Sequence, residues 1–210
     1  MPYETDMYLR RAERDDLEQV VAWMSEPDFA YFLYGDPAQS PRQVREKIIS
    51  MLGRQAGVVM PPAIYLMIDS PSLGTVGMIS LQQISWRNRS CALDVYVDRR
   101  HRDRWITAAA VFRALEYCFD ELNLHRVSAF IYAFNRASWR VFELAGAQRE
   151  LVFEDHVPRD GRLKDAYGYG LLKEEFDRVR RERARFAEGM SLRAMIERLL
   201  NEPEPGDTNR

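Results

Sequence analysis

Residues 91–132 restrict the fold more than any other stretch of this 210-residue chain. A short β pattern from Cys91 to Val97 runs into a basic turn, Asp98 to Arg104, and then into an amphipathic helix over about Trp105 to Glu121. Ala108, Val111, Phe112, Leu115, Cys118, Phe119 and Leu122 recur at helical spacing and mark its buried face. Val127 to Tyr132 is strand-like again. A helix between two strands predicts a crossover, whose strands lie parallel. The junction also surrounds the free N–H groups of a helix start with Arg99, Arg100, Arg102 and Arg104. That combination suits a phosphate-bearing ligand, although the turn contains no glycine.

The flanking segments extend the α/β pattern. Met7-Tyr8-Leu9 reads as a first strand, and Asp15-Asp16-Leu17 opens a helix carrying Val20, Val21 and Met24. Phe29 to Gly35 is dense in aromatics, suited either to packing or to one wall of a substrate groove. Ser40-Pro41-Arg42-Gln43 is a helix start with a capping serine, a first-turn proline and a glutamine three residues on. Ala63 to Ile68, Thr75 to Leu81 and Cys91 to Val97 predict an antiparallel meander. After Val127 to Tyr132 come a short helix over about Arg136 to Leu144, ended by Gly146, and strands near Gln148 to Glu154 and Ala166 to Leu172.

Bulk properties narrow the function. A net charge of -2, with no basic-aromatic recognition motif, argues against nucleic acid. No stretch approaches the roughly 20 apolar residues of a membrane span, and the N-terminal residues do not read as a signal peptide. A cytoplasmic protein is expected, with Cys91 and Cys118 as buried thiols and no compact metal-ligand pattern.

Several strings together resemble the GCN5-related N-acetyltransferases (GNAT), and within them the RimJ/RimL-type branch. They are Leu9-Arg10 with Asp15-Asp16-Leu17, Asn88-Arg89-Ser90, Phe119 to Val127, Phe134-Asn135-Arg136-Ala137-Ser138, and Glu143-Leu144-Ala145-Gly146-Ala147. The resemblance covers roughly residues 5–175. It implies a mixed central sheet flanked by helices, with acetyl-coenzyme A, or another acyl-CoA, lying where two strands splay apart.

By the same resemblance, Val95, Val97, Arg102, Arg104, Trp105, Ile106, Thr107, Asn135 and Ser138 contact that cosubstrate. Arg102 matches the arginine that opens the family's pyrophosphate loop, whereas Trp105 and Thr107 stand where glycines are expected. Ala92 replaces the usual glutamate base, which leaves Asp94 as a shifted base or simply as a polar residue of the splay. Phe142 replaces the usual tyrosine, and Ser138 matches a serine that some members use toward the leaving thiolate. Phe29, Tyr31, Tyr34 and Tyr96 are the acceptor-side candidates.

The implied reaction is direct transfer to a small-molecule or peptide primary amine, without a metal. The departures keep two alternatives open: a non-catalytic or cofactor-divergent interaction protein, and an acyltransferase taking its acyl group from an acyl-carrier protein. Residues 1–175 are expected to form the domain, 176–200 a helical extension that also suits a homodimer contact, and 201–210 a disordered tail.

Overall fold

The computed structural model describes residues 7–33, 40–55, 57, 59–102 and 104–186. Tyr34, the side chains of Arg104 and Trp105, and the segment expected as a tail lie outside the described residues. The strands are β1 (Tyr8–Arg11), β2 (Ile64–Ser70), β3 (Gly74–Ser85), β4 (Ser90–Val97), β5 (Arg126–Tyr132), β6 (Gln148–Arg159) and β7 (Arg162–Leu172). The helices are α1 (Leu17–Met24), α2 (Pro27–Phe32), α3 (Pro41–Gln55), α4 (Arg104–Glu116), α5 (Arg136–Leu144) and α6 (Lys173–Phe186). One seven-stranded sheet runs in the order β1-β2-β3-β4-β5-β7-β6. The meander β2-β3-β4 is antiparallel, and β4 pairs with β5 in parallel across α4, as the crossover requires.

Local chemistry explains the element boundaries. At the start of α3, Gln43 N–H donates to Ser40 Oγ, while Ser40 N–H donates to Gln43 Oε1 (2.8 Å), closing the capping box read from the sequence. Gly146 exits α5 at φ +98°, in the left-handed region. Gly77 is required for a different reason: a Cβ there would run into the Tyr96 carbonyl of the neighbouring strand. Strands β3, β6 and β7 run longer than their apolar patterns predict. Register shifts within β3 and β6 carry both past interruptions in the alternation. The helix expected to reach Glu121 ends its regular turns at Glu116 and widens into a π turn over Tyr117–Glu121.

The sheet has a different apolar layer on each face. On one side Ile64, Leu66, Ile79, Leu81 and Leu93 pack with α4, α5 and the start of α6. Cys91 and Cys118 are buried there as free thiols, and their mutual contact with burial pushes the Cys118 thiol up. Phe176 is fully buried against Phe112 and Phe119, so the first turn of α6 belongs to the domain core. Arg180 donates to Asp120 and Asp177. On the other side Tyr65, Met67, Met78 and Tyr96 pack under α1 and α3. Arg10 pins this layer to the edge, donating to Asp69 Oδ2 (2.6 Å) and to both oxygens of Asp16 (2.7 Å).

The two layers meet at Asp98, just past the end of β4. Its N–H donates to the Val76 carbonyl (2.8 Å), and its carboxylate, 1% exposed, accepts from Trp23 Nε1 (2.9 Å) and from Arg100 N–H (2.9 Å). Burial pushes the Asp98 carboxyl up, but the Arg100 side chain and backbone and the Trp23 indole outweigh it and hold the group well below the usual carboxylate range. Its stabilisation is therefore present above the unfolded value near pH 4 and is lost as pH falls through the lowered folded value. Asp98→Ala is expected to lower the unfolding free energy by about 2–3 kcal/mol, since it strands the buried indole N–H. Arg100→Ala, which removes the guanidinium from a buried carboxylate but keeps the Arg100 N–H bond, is expected to cost about 1–3 kcal/mol. Urea unfolding of the two variants measures the difference.

Candidate active site

The feature that organises the site is a parting of strands. β4 pairs with β5 only at Ser90↔Arg126, Cys91↔Val127 and Ala92↔Ser128, whereas it stays paired with β3 as far as Val97. The Asp98 N–H bond to Val76 fixes the alternation of the β3–β4 ladder. Even-numbered residues of β4 direct their backbone groups to β3, so Val95 and Val97 direct theirs toward the side β5 has left. These main-chain groups are the exposed edge of a splay, where an extended chain can add as a short strand.

Arg102 sits at the far end of this edge. Its Nε and Nη2 donate to the Val97 carbonyl (3.3 and 3.2 Å), and its Nη1 donates to Asp28 (3.2 Å) on α2. The guanidinium lies 5.5 Å from the Phe32 ring centroid and 5.6 Å from that of Tyr96. A predicted cosubstrate residue is thus brought together with acceptor-side Tyr96. Thr107 is half-buried and Ile106 buried in the first turns of α4. Asn135 and Ser138 stand across the splay, where β5 passes into α5, with no hydrogen bond to Asp94 among the described residues. Asn135 makes no side-chain cap to α5, and Ser138 N–H donates to the Asn135 carbonyl (3.1 Å). Phe142 is buried against Tyr169, and Tyr169 donates its hydroxyl to Glu143 Oε1 (2.7 Å).

Asp94 lies two residues beyond the apex of the splay and lines both cavities on this face of the sheet. One cavity, about 390 Å³, is roofed by Met24, Phe29, Leu33 and Met51 and floored by Met78, Ser80, Gln82 and Tyr96. The other, about 490 Å³, extends over Ala92, Ser128 and Phe130 toward Phe153 and His156. Gln82 Nε2 donates to Asp94 Oδ2 (3.0 Å). Burial pushes the Asp94 carboxyl up to about 6, against the lowering effect of that amide. Tyr96 donates to Glu26 Oε2 (3.3 Å), and burial followed by the Glu26 charge keeps its phenol protonated well above the usual range.

The acceptor-side candidates divide. Phe29 and Tyr96 line the first cavity and pack on each other at 5.0 Å between centroids. Tyr31 faces the hairpin between β6 and β7, donating to Asp160 Oδ2 (2.7 Å) and packing on Phe134 at 5.0 Å. Arg159 completes this clamp by donating to the Ala30 carbonyl (3.4 Å) and lying over Tyr31 and Tyr132. Sequence reasoning missed Ser80, Gln82, Asp98 and the Arg159–Asp160 clamp. A signal for Ser80 was present, as a lone hydroxyl within the apolar strand run Met78-Ile79-Ser80-Leu81. The clamp joins residues 129 apart and has no local signature.

Among the described residues no group of three or more His, Cys, Asp or Glu is arranged to hold a metal, and no helix is long and apolar enough to cross a membrane. Comparison with known proteins agrees with the architecture. The uncharacterized N-acetyltransferase p20 of Bacillus licheniformis is 26% identical over 176 residues, spanning 83% of this chain and 97% of p20. The putative ribosomal N-acetyltransferase YdaF of Bacillus subtilis is 27% identical over 147 residues, 70% of this chain and 79% of YdaF. The crystal structure of spermidine N-acetyltransferase from Vibrio cholerae, in complex with CoA and spermine, shares the fold with a TM-score of 0.73 at 19% identity, covering 82% of this chain and 98% of that one. A family model described as an acetyltransferase (GNAT) domain matches residues 6–148, from the first strand to the start of the sixth. The chain belongs to the GNAT acetyltransferase family.

Proposed function

We propose that the chain transfers an acetyl group from acetyl-coenzyme A to a primary amine by direct attack, with Asp94 as the base. The observation that carries this reading is a half-buried carboxylate two residues from the apex of the splay, shared by two cavities that open on one face of the sheet. The unladdered main chain of Val95 and Val97 suits the amide groups of a pantetheine arm. Arg102 occupies the Val97 carbonyl and Asp28 in the structure, so this reading moves its guanidinium onto the diphosphate when the cosubstrate binds. The start of α4, from Arg104 through Trp105, Ile106 and Thr107, supplies N–H groups to the same diphosphate. Asn135 and Ser138 face the arm from the other wall.

In the step itself, the neutral amine nitrogen bonds to the thioester carbon as the carbon–sulfur bond breaks. The amine proton passes to Asp94, and the leaving thiolate takes a proton at Ser138 or from water held there. A carboxyl titrating near 6 is mostly ionised at neutral pH and remains basic enough to accept that proton. Placement in the RimJ/RimL-like branch is supported by the similarity to YdaF. Coenzyme A is favoured over a carrier protein as donor because the spermidine N-acetyltransferase that shares the fold is seen in complex with CoA.

Equilibrium titration with acetyl-coenzyme A is expected to show binding below millimolar concentration; a folded chain that does not bind at millimolar ligand overturns the reading. Turnover is expected to show a rise with pH through about 6, because the base works only when deprotonated. Asp94→Asn is expected to remove that limb and lower kcat/KM by about 10²–10⁴-fold with coenzyme-A affinity unchanged. The same variant is expected to gain on the order of 1 kcal/mol in unfolding free energy at pH 7, since it deletes a charge that burial disfavours. Ser138→Ala is expected to lower kcat about tenfold while leaving the amine KM in place.

A further inference from the structure

Ser80 is the direct cross-strand partner of Asp94 in the β3–β4 ladder, on the same face of the sheet. It is 7% exposed, it lines the 390 Å³ cavity, and its hydroxyl has no hydrogen-bond partner among the described residues. A buried hydroxyl left in that state carries an uncompensated desolvation penalty. Gln82, the diagonal neighbour, takes one oxygen of Asp94 and does not reach Ser80. A hydroxyl and a carboxylate side by side at the floor of a cavity match the donors of one amine nitrogen.

The remainder of the cavity limits what that nitrogen is attached to. Met24, Phe29, Leu33, Met51 and Met78 give it an apolar body, and its described lining holds one carboxylate, Asp94, and one cation, Lys47. A second ammonium on the same molecule would find no further carboxylate in the described lining, since Glu26 is engaged behind Tyr96, or would meet Lys47 at the exposed side. The volume suits a small organic body and not a long chain.

We propose that this cavity is the acceptor pocket, that it selects a primary monoamine carried on an apolar body, and that Ser80 positions the nitrogen beside Asp94. The proposal rests on the acetyltransferase reading above for its catalytic meaning, and on the pocket alone for its binding preference. Calorimetric titration of the full chain with 2-phenylethylamine and with spermidine, with coenzyme A present and absent so that no acetyl group is transferred, tests it beside a separate titration with acetyl-coenzyme A. Phenylethylamine is expected to bind at least tenfold tighter than spermidine. Ser80→Ala is expected to weaken phenylethylamine by about 3–10-fold, the worth of one buried hydrogen bond. Met51→Glu, at a half-buried helix position, is expected to narrow or reverse the preference by giving a second ammonium its partner.

Spermidine binding as tightly as phenylethylamine to the unmodified chain, or neither amine binding at millimolar concentration, overturns the pocket assignment. Unchanged affinities in Ser80→Ala overturn the role of Ser80. Amine preference without acetyl-coenzyme A binding overturns the transferase reading and leaves the pocket standing, whereas acetyl-coenzyme A binding with turnover of spermidine alone does the reverse.

Discussion

The arrangement of the site depends on a buried charge at the end of β4. Asp98 bonds to β3 through its N–H, to α1 through Trp23 and to the following turn through Arg100. These three bonds hold the end of β4 to β3 and α1, on the side away from β5. A carboxylate with almost no solvent exposure is tolerated only when every available lone pair is used. These bonds anchor the end of a strand whose pairing with β5 has already stopped at Ala92.

Much of this architecture could be read from the sequence because it is written in short-range terms. The Ser40–Gln43 box, the exit at Gly146, the meander and the crossover each follow from residues within one or two elements of each other. The basic junction was harder. Four arginines in sequence look like free positive charge, yet Arg100 is claimed by Asp98, and Arg102 by Val97 and Asp28. Composition counts charges before pairing, and pairing is a property of the fold. Asp94 was legible as a candidate and Ser80 as a lone hydroxyl in an apolar run, but their adjacency was not, because it depends on the β3–β4 register. The same holds for Tyr31, whose aromatic character suggested an acceptor wall and whose hydroxyl instead fastens α2 to the hairpin.

Asp94 and Ser80 break the ordinary rules of a buried sheet in the same place. One is a carboxyl pushed up to about 6 by burial, the other a hydroxyl without a partner. Each weakens the fold slightly, and under the proposed reading each gains a partner when an amine nitrogen enters. Local instability of this kind is characteristic of sites whose missing partner is a ligand. The surrounding layer of Met67, Met78, Tyr65 and Tyr96 under α1 and α3 supplies the packing against which that instability is held.

The splay has a further consequence for how such a chain diverges. Main-chain groups at Val95 and Val97 present the same donors and acceptors whatever side chains those positions carry. A ligand edge built from backbone asks the sequence only to keep two strands apart, a demand that many combinations of apolar residues and one anchored turn can meet. The 390 Å³ cavity proposed as the acceptor pocket, in contrast, is lined by side chains of β3, α1 and α3, and each substitution there changes its chemistry. One half of the molecule is thus free to drift without altering what it recognises, while the other changes its ligand with a few replacements. A shared fold at 19% identity is the outcome expected of that division.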